Sequence, residues 1–304
     1  MSGAANRIEI VEVGPRDGLQ DEPAIVATAD KIAYINDAIA AGVRRVEGVS
    51  FASPKHVPQM ADAEAVISGL GSKRAHLIGL VLNVRGMDRA IAAGIAEVNA
   101  VLIVTDTFSQ RNQGMSSAEA TAMALAVVDR AKEHGIRVGV TLSAAFGCPF
   151  EGVVDPSRVV SIAERLAAGG VDELSLADTI GCAVPNQTED LTGAVVAATR
   201  LPLRIHLHNS RNTGLANAVA AINGGATALD ASLGGIGGCP FASGATGNIA
   251  TEDLVHMLDR MGIETGLDLD TLLRGVERLD AVLGRTTPGM LSRSGRFPRR
   301  DPPE

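Results

Sequence analysis

Two histidines separated by one residue, His206 and His208, carry the strongest chemical signal in the chain. They lie in the short apolar run 203–208, and alternate residues of a β-strand project to one side, so both imidazoles point the same way. Such a pair makes either part of a metal site or a buried, hydrogen-bonded stack. Its company favours the metal. Asp17 follows the first apolar run of the chain, and Asn248 follows its last glycine-rich loop. Two imidazole nitrogens and two oxygens, with no thiolate, suit Mg²⁺ or Mn²⁺, with Zn²⁺, Co²⁺ and Fe²⁺ left open. Beside Asp17, Arg16 offers a permanent cation that either stabilises a developing enolate oxygen or pairs with a nearby acid. Glu47 and Asp178, at two other strand positions, are expected to orient Arg16 or the metal ligands rather than to bind metal. Cys239 follows Gly234-Gly235-Ile236-Gly237-Gly238, a loop flexible enough to fold over a substrate, so it is either a proton donor or an inert residue beside a turn.

These residues meet only if a repeated architecture brings the ends of distant segments together. Strand-length apolar runs at 8–13, 45–51, 76–82, 98–105, 138–144, 173–177, 203–208 and 228–233 alternate with segments of helical period near 30–42, 60–70, 86–94, 117–134, 156–168, 186–199, 214–223 and 250–261. Gly42, Gly94, Gly135, Gly169 and Gly224 stand where helices need a left-handed closing residue. Eight strand-helix repeats predict an α/β fold of the (β/α)₈ TIM-barrel type, whose active site lies at the C-terminal ends of the strands. An open doubly wound sheet is the alternative, but the first strand ends in Gly14-Pro15-Arg16-Asp17-Gly18, without the G-x-G-x-x-G spacing. The barrel domain is expected over 1–284, with an extra helix at 268–283, followed by a mobile tail at 285–304 rich in Pro, Arg and Ser.

Composition removes several classes of function. The net charge is −8 and the only dense basic stretch is at the C-terminal end, so no face is available to neutralise a nucleic-acid backbone. Cys148, Cys182 and Cys239 are too few and too widely spaced for a disulfide or zinc framework. No run approaches the ~20 apolar residues of a membrane span, and the first residues carry no apolar signal core, so a cytoplasmic location is expected. The four lysines, Lys31, Lys55, Lys73 and Lys132, fall outside the expected strands, which disfavours a Schiff-base aldolase. His76, His134 and His256 are read as structural.

Val11-Glu12-Val13-Gly14-Pro15-Arg16-Asp17-Gly18-Leu19-Gln20, Ser50-Phe51-Ala52-Ser53-Pro54-Lys55 and the run 237–248 resemble the 3-hydroxy-3-methylglutaryl-CoA lyase family, in its bacterial type. Further agreement lies at 146–151, 175–181 and 250–254. The resemblance implies a divalent metal held by Asp17, His206, His208 and Asn248, a catalytic Arg16, acids at Glu47 and Asp178, a loop cysteine at Cys239, and a homodimer. The implied reaction is retro-Claisen cleavage of an acyl-CoA substrate to acetoacetate and acetyl-CoA, with Asp17 or a histidine, His206 among them, taking the hydroxyl proton. The chain departs from the family at Asn209, which stands where an aspartate is usual, and at Gly48, where a hydroxylated residue is usual. Both positions are expected near the site, Asn209 as a substrate-binding or orienting residue, and both bear on the acyl group. A related 3-hydroxyacyl-CoA lyase, a metal-dependent aldolase or an acyl-CoA synthase of the same barrel group are the rival readings. A non-catalytic acyl-CoA or metal binder is the remote one.

Overall fold

The computed structural model describes residues 7–238 and 247–298, so Cys239 lies outside the described residues. Eight parallel strands, β1 (Glu9–Glu12), β2 (Arg45–Ser50), β3 (Leu77–Val81), β4 (Glu97–Ile103), β5 (Arg137–Ser143), β6 (Glu173–Asp178), β7 (Leu203–Leu207) and β8 (Ala228–Ala231), pair in chain order. β8 pairs back to β1 through Ile10↔Leu229 and Val11↔Asp230, which closes the sheet into a barrel. Around it lie α1 (Thr28–Ala40), α2 (Ala63–Leu70), α3 (Val84–Ala93), α4 (Asp106–Gln113), α5 (Ser117–Glu133), α6 (Pro156–Ala168), α7 (Pro185–Thr199), α8 (Gly214–Asn223) and α9 (Thr251–Arg260), with α10 (Leu269–Leu283) and α11 (Leu291–Ser294) after them. No helix among the described residues is long and apolar enough to cross a membrane.

Local chemistry sets the helix boundaries. Asn83 caps α3 by accepting from Gly86 N at 3.0 Å, Ser116 and Glu119 form a reciprocal box at the start of α5, and Asp155 caps α6 ahead of Pro156. At two expected closing glycines the left-handed residue is the next one along: Gly169 and Gly224 stay right-handed, while Gly170 and Gly225 take φ of +81° and +98°.

Three segments differ from expectation. The loop expected after β4 holds α4, which has no apolar period; it is fixed by buried Phe108, by Asp106 accepting from Ser117 N at 2.9 Å, and by Gln113 donating to Val101 O. Residues 14–18 form a wide helical turn after β1. The part of the expected mobile tail that is described, 285–298, packs on the barrel instead. Asp253 of α9 accepts from Met290 N and Leu291 N at 2.9 and 2.7 Å, and Leu291 is buried. Composition concealed this because one apolar anchor and one capping acid suffice to dock a short segment.

Aliphatic side chains from the outer faces of the strands and the inner faces of the helices form the main core. The barrel interior is different. Val11, Val13, Ile78 and Ala228 make a small apolar cluster of their own, and arginines and acids meet along the axis. Arg45 of β2 reaches Glu9 of β1, Glu97 of β4 and Glu173 of β6, and groups on such separated strands meet only along the axis. One layer up, Arg204 of β7 lies 3.5 Å from Glu173, 3.8 Å from Glu47 and 3.4 Å from Asp230. This column of ions runs from the floor of the barrel to its mouth, where the candidate site lies.

Candidate active site

The mouth opens into a cavity of about 560 Å³ lined by Arg16, Asp17, Glu47, His206, His208 and Asp230 on its polar side. Leu80, Leu82, Val101, Ile103 and Phe108 form an apolar wall across the barrel from them. Asp17, His206 and His208 each bring one ligand atom within 4.8 Å of the others.

Each of these atoms is aimed by a partner. His206 Nδ1 bonds Asp230 Oδ2 at 3.2 Å and His208 Nδ1 bonds the backbone carbonyl of Asp178 at 3.0 Å. In the neutral form of each ring these bonds place the proton on Nδ1 and leave the lone pair on Nε2. His206 Nε2 lies 4.0 Å from Asp17 Oδ2, and the two rings stand edge to face at 4.9 Å. Asn248 donates through Nδ2 to Asp17 Oδ2 at 2.8 Å and to Ile236 O at 3.0 Å, which turns its carbonyl oxygen away from both.

Among the candidate ligands, His208 Nε2 and Asn248 Oδ1 are buried and have no hydrogen-bond partner among the described residues. Orphaned polar atoms of this kind are costly unless something binds them. His208 Nε2 is a lone-pair donor grouped with the ionised Asp17 and with His206, and Asn248 adds a hard oxygen on a residue bonded to Asp17, so the residues present fit a divalent cation.

The electrostatics agree with such a site. Burial alone would raise the pKa of Asp17, but the Arg16 guanidinium, the two imidazoles and the Asn248 bond hold it down at about 2. Burial lowers the pKa of His206, and the bond to Asp230 together with the charge of Asp17 more than offset it, so the net shift is upward. For His208, burial and the neighbouring His206 push the value down, so this imidazole is neutral at pH 7.

Arg16 is tied to Glu47 through Nε at 2.6 Å and through NH2, and to Asp17 Oδ1 through NH1 at 2.8 Å. Desolvation opposes its charge, but Glu47 and Asp17 raise its pKa above the ordinary value. Three of the five guanidinium N–H groups are thus used and two remain. Glu47 in turn accepts from Asn99 Nδ2 at 3.0 Å.

Arg16, Asp17, Glu47, His206, His208 and Asn248 therefore meet at one place. Two expected residues do not join them. The Asp178 carboxylate faces away from the axis and accepts from Cys182 N and Ala183 N at 2.8 and 3.0 Å, leaving only its backbone carbonyl to reach His208. Its neighbour Ala177 takes the inward position on β6. Asn209 shapes the turn after β7: its Oδ1 accepts from Gly214 N at 3.1 Å at the start of α8, and it is absent from the lining of the cavity. Gly48 also faces outward. A methyl there would stand 2.7 Å from Leu77 Cδ2 and 3.1 Å from Ile35 Cδ1, so the β2 irregularity between Glu47 and Val49 makes room for core packing, not for substrate.

Sequence reasoning passed over Asp230 and Glu12. Asp230 shares an inward face with His206, its Cα partner across the β7–β8 pair. Glu12 is fully buried on the outer side of β1. It accepts from Gly14 N, Leu233 N and Tyr34 Oη near 3.0 Å and from Thr251 Oγ1 at 2.7 Å. One carboxylate thus ties together the segments that carry Asp17, the glycine-rich loop and Asn248. That loop crosses the site closely: Gly237, at φ +99°, has no room for a side chain against Asn248 Nδ2, 2.6 Å from where its Cβ would stand.

Glu252 holds the next amide, Gly234 N, at 3.0 Å, and its other oxygen is unpartnered among the described residues. Burial pushes its pKa from 4.5 up to about 8. The folded protein therefore keeps a proton that the unfolded chain loses above pH 4.5, so this group's contribution to stability is full below that pH and is lost as pH rises through about 8. In metal-free protein, Glu252→Gln is expected to flatten the fall in melting temperature between pH 5 and pH 9. The loss it removes is on the order of a few kcal/mol. Parallel pH profiles for the two proteins would contradict the shift.

Residues 7–278 match the HMGL-like family. The chain belongs to the HMGL-like family. This HMGL-like protein is 42% identical over 302 residues to (R)-citramalyl-CoA lyase of Chloroflexus aurantiacus, covering 95% of each chain. It is 39% identical over 286 residues to the hydroxymethylglutaryl-CoA lyase of Bacillus subtilis, covering 93% of this chain and 95% of that one. An HMG-CoA lyase from Acinetobacter baumannii, solved in complex with coenzyme A and 3-methylmalate, superposes with a TM-score of 0.92 at 38% identity over 100% of both chains.

Proposed function

We propose that the protein is a metal-dependent carbon-carbon lyase that cleaves 3-hydroxy-3-methylglutaryl-CoA to acetoacetate and acetyl-CoA. The observation that carries this reading is the convergence of Asp17, His206 and His208 beside Arg16 in the barrel mouth, in a chain of the HMGL-like family. Asp17, His206, His208 and Asn248 would hold Mg²⁺ or Mn²⁺, a Lewis acid that makes a bound tertiary hydroxyl easier to deprotonate.

In the cleavage the 3-hydroxyl loses its proton, the C2–C3 bond breaks, and its electron pair moves onto C2 as the enolate of the thioester. C3 leaves as the ketone of acetoacetate. Asp17 Oδ2 and His206 Nε2, 4.0 Å apart, are the proton acceptors within reach of a hydroxyl placed between them. Arg16 turns its two remaining N–H groups to the enolate oxygen as charge develops there. A proton returned to C2 gives acetyl-CoA, and we assign its delivery to Cys239, the residue after cavity-lining Gly238. Homodimerisation and a cytoplasmic location belong to the same proposal.

One observation favours a second substrate, the 42% identity to a citramalyl-CoA lyase. Citramalyl-CoA also carries a tertiary hydroxyl β to the thioester and differs by one methylene before its carboxylate. The same residues would break the same bond and release pyruvate in place of acetoacetate. Metal-stripped protein given each thioester, with and without Mg²⁺ or Mn²⁺, decides between them. Metal-dependent acetoacetate release supports the first reading, pyruvate release alone transfers the assignment to the second, and no release of either refutes the lyase.

A further inference from the structure

We infer that Arg204 is a positioning residue for both catalytic halves of the site, acting through Asp230 on His206 and through Glu47 on Arg16. The inference rests on the proposed metal reading of the Asp17, His206 and His208 group. Arg204 precedes His206 by two residues on β7 and so shares its inward face, and it is among the largest fully buried side chains of the described chain. Three buried carboxylates from three other strands surround its guanidinium: Asp230 at 3.4 Å, Glu173 at 3.5 Å and Glu47 at 3.8 Å. Arg45, below, is committed to Glu9, Glu97 and Glu173.

The two upper carboxylates are divided in the same way. Asp230 presents Oδ1 to Arg204 and Oδ2 to His206 Nδ1. Glu47 presents Oε2 to Arg204 and Asn99, and Oε1 to Arg16. In each case one oxygen faces the buried cation and the other holds a group that works at the mouth.

The guanidinium is more than an ordinary space-filling cation. Its Nε and NH1 make no hydrogen bond among the described residues, so its attraction is shared among the three acids and not spent on one. Without it, Asp230 would face Glu47 and Glu173 with no arginine of its own, while those two acids keep Arg16 and Arg45. Like charges at such separation in a buried site repel strongly. Asp230 would then turn from its present angle, and His206 Nδ1 would lose the acceptor that directs Nε2 at Asp17. Losing an outer partner of this kind typically costs 10–100-fold in metal affinity.

The test uses full-length, metal-stripped protein and Mn²⁺ as the probe. Mn²⁺ affinity is measured by titration calorimetry, alongside kcat, KM and melting temperature, for Arg204→Met, Asp230→Asn and the double variant. Arg204→Met is expected to bind Mn²⁺ about 10–100-fold more weakly and to lower kcat far more than it changes KM. The double variant is expected to bind no more weakly than the weaker of the two single variants, because both act on the same imidazole. Arg204→Lys, which keeps the charge and loses the planar fork, is expected to fall between wild type and Met.

Wild-type affinity in folded Arg204→Met overturns the role, and so do two single effects that simply multiply in the double variant. If Arg204→Met does not fold, Arg204→Lys decides: an affinity within twofold of wild type overturns the proposal, and a several-fold loss supports it. Failure of the wild-type protein to bind Mn²⁺ at all would instead refute the metal reading on which the inference stands.

Discussion

Arg16→Met is expected to lower kcat and kcat/KM together by at least about 10³-fold while leaving the Mn²⁺ content of the purified protein unchanged. The magnitude follows from the loss of a pre-aimed donor to a developing oxyanion, worth about 10²–10³ for a neutral hydrogen bond and more for a fixed cation. The direction follows from where the group is held. Glu47 fixes Nε and NH2, and Asp17 fixes NH1, so the guanidinium does not reorganise as charge appears on the thioester. Methionine keeps much of the length of the stem and removes all five N–H groups.

Metal content should survive because Arg16 donates to Asp17 Oδ1, whereas Asn248 and His206 approach the other oxygen, Oδ2. Asp17 loses its strongest source of acidity in the variant, yet its carboxylate keeps both imidazoles and Asn248 nearby. Glu47 keeps Asn99 at 3.0 Å and Arg204 at 3.8 Å, so it is not left as an unpaired buried charge. Turnover within tenfold of wild type would remove Arg16 from the chemistry. Loss of Mn²⁺ along with activity would make it a support for Asp17 instead of an enolate partner.

The barrel was legible because its strands are short aliphatic runs bounded by glycine and acid, and all eight lie within two residues of their expected bounds. The metal group was legible for a related reason. His206 and His208 are the wrong chemistry for an inward-facing strand unless something binds them, and barrel closure brings β1 beside β8. What sequence hid was the parity of single residues. Asp178 looked like a site acid because it ends β6, yet Ala177 takes the inward position there and the carboxylate faces the following loop. The same alternation, counted back from His206, turns Arg204 inward. Gly48 follows the same rule: with Glu47 turned inward, the next residue of β2 faces the helices, so its place beside Glu47 in the sequence is not a place in the site. Glu12 was invisible for another reason. Its partners, Gly14, Leu233 and Thr251, lie as far as 239 positions along the chain, so nothing local marks it as the tie between three loops.

His208→Ala should abolish the metal response of the protein altogether. Of the two imidazoles this one carries no competing role: its Nδ1 is occupied by the Asp178 carbonyl, and its buried Nε2 has no partner among the described residues. Its depressed pKa keeps it neutral at pH 7, so its lone pair binds a cation without first giving up a proton. Removing a ligand atom should cost more than the roughly 10–100-fold lost when an outer partner goes. A readout independent of catalysis follows from linkage. A ligand that binds only the folded state raises stability by about 2.7 kcal/mol at a hundred times its Kd, so wild-type melting temperature should climb with added Mn²⁺. In the variant the curve should stay flat at the same concentrations. The apo variant should melt somewhat below apo wild type, since the Asp178 carbonyl loses its donor and the ring leaves a gap in the mouth. That baseline is measured without metal and subtracts out. A variant whose melting temperature rose with Mn²⁺ as steeply as wild type would show that the ion binds elsewhere. His206 and His208 would then be a hydrogen-bonded stack, and the chemistry assigned to the barrel mouth would have to begin from Arg16 and Glu47 alone.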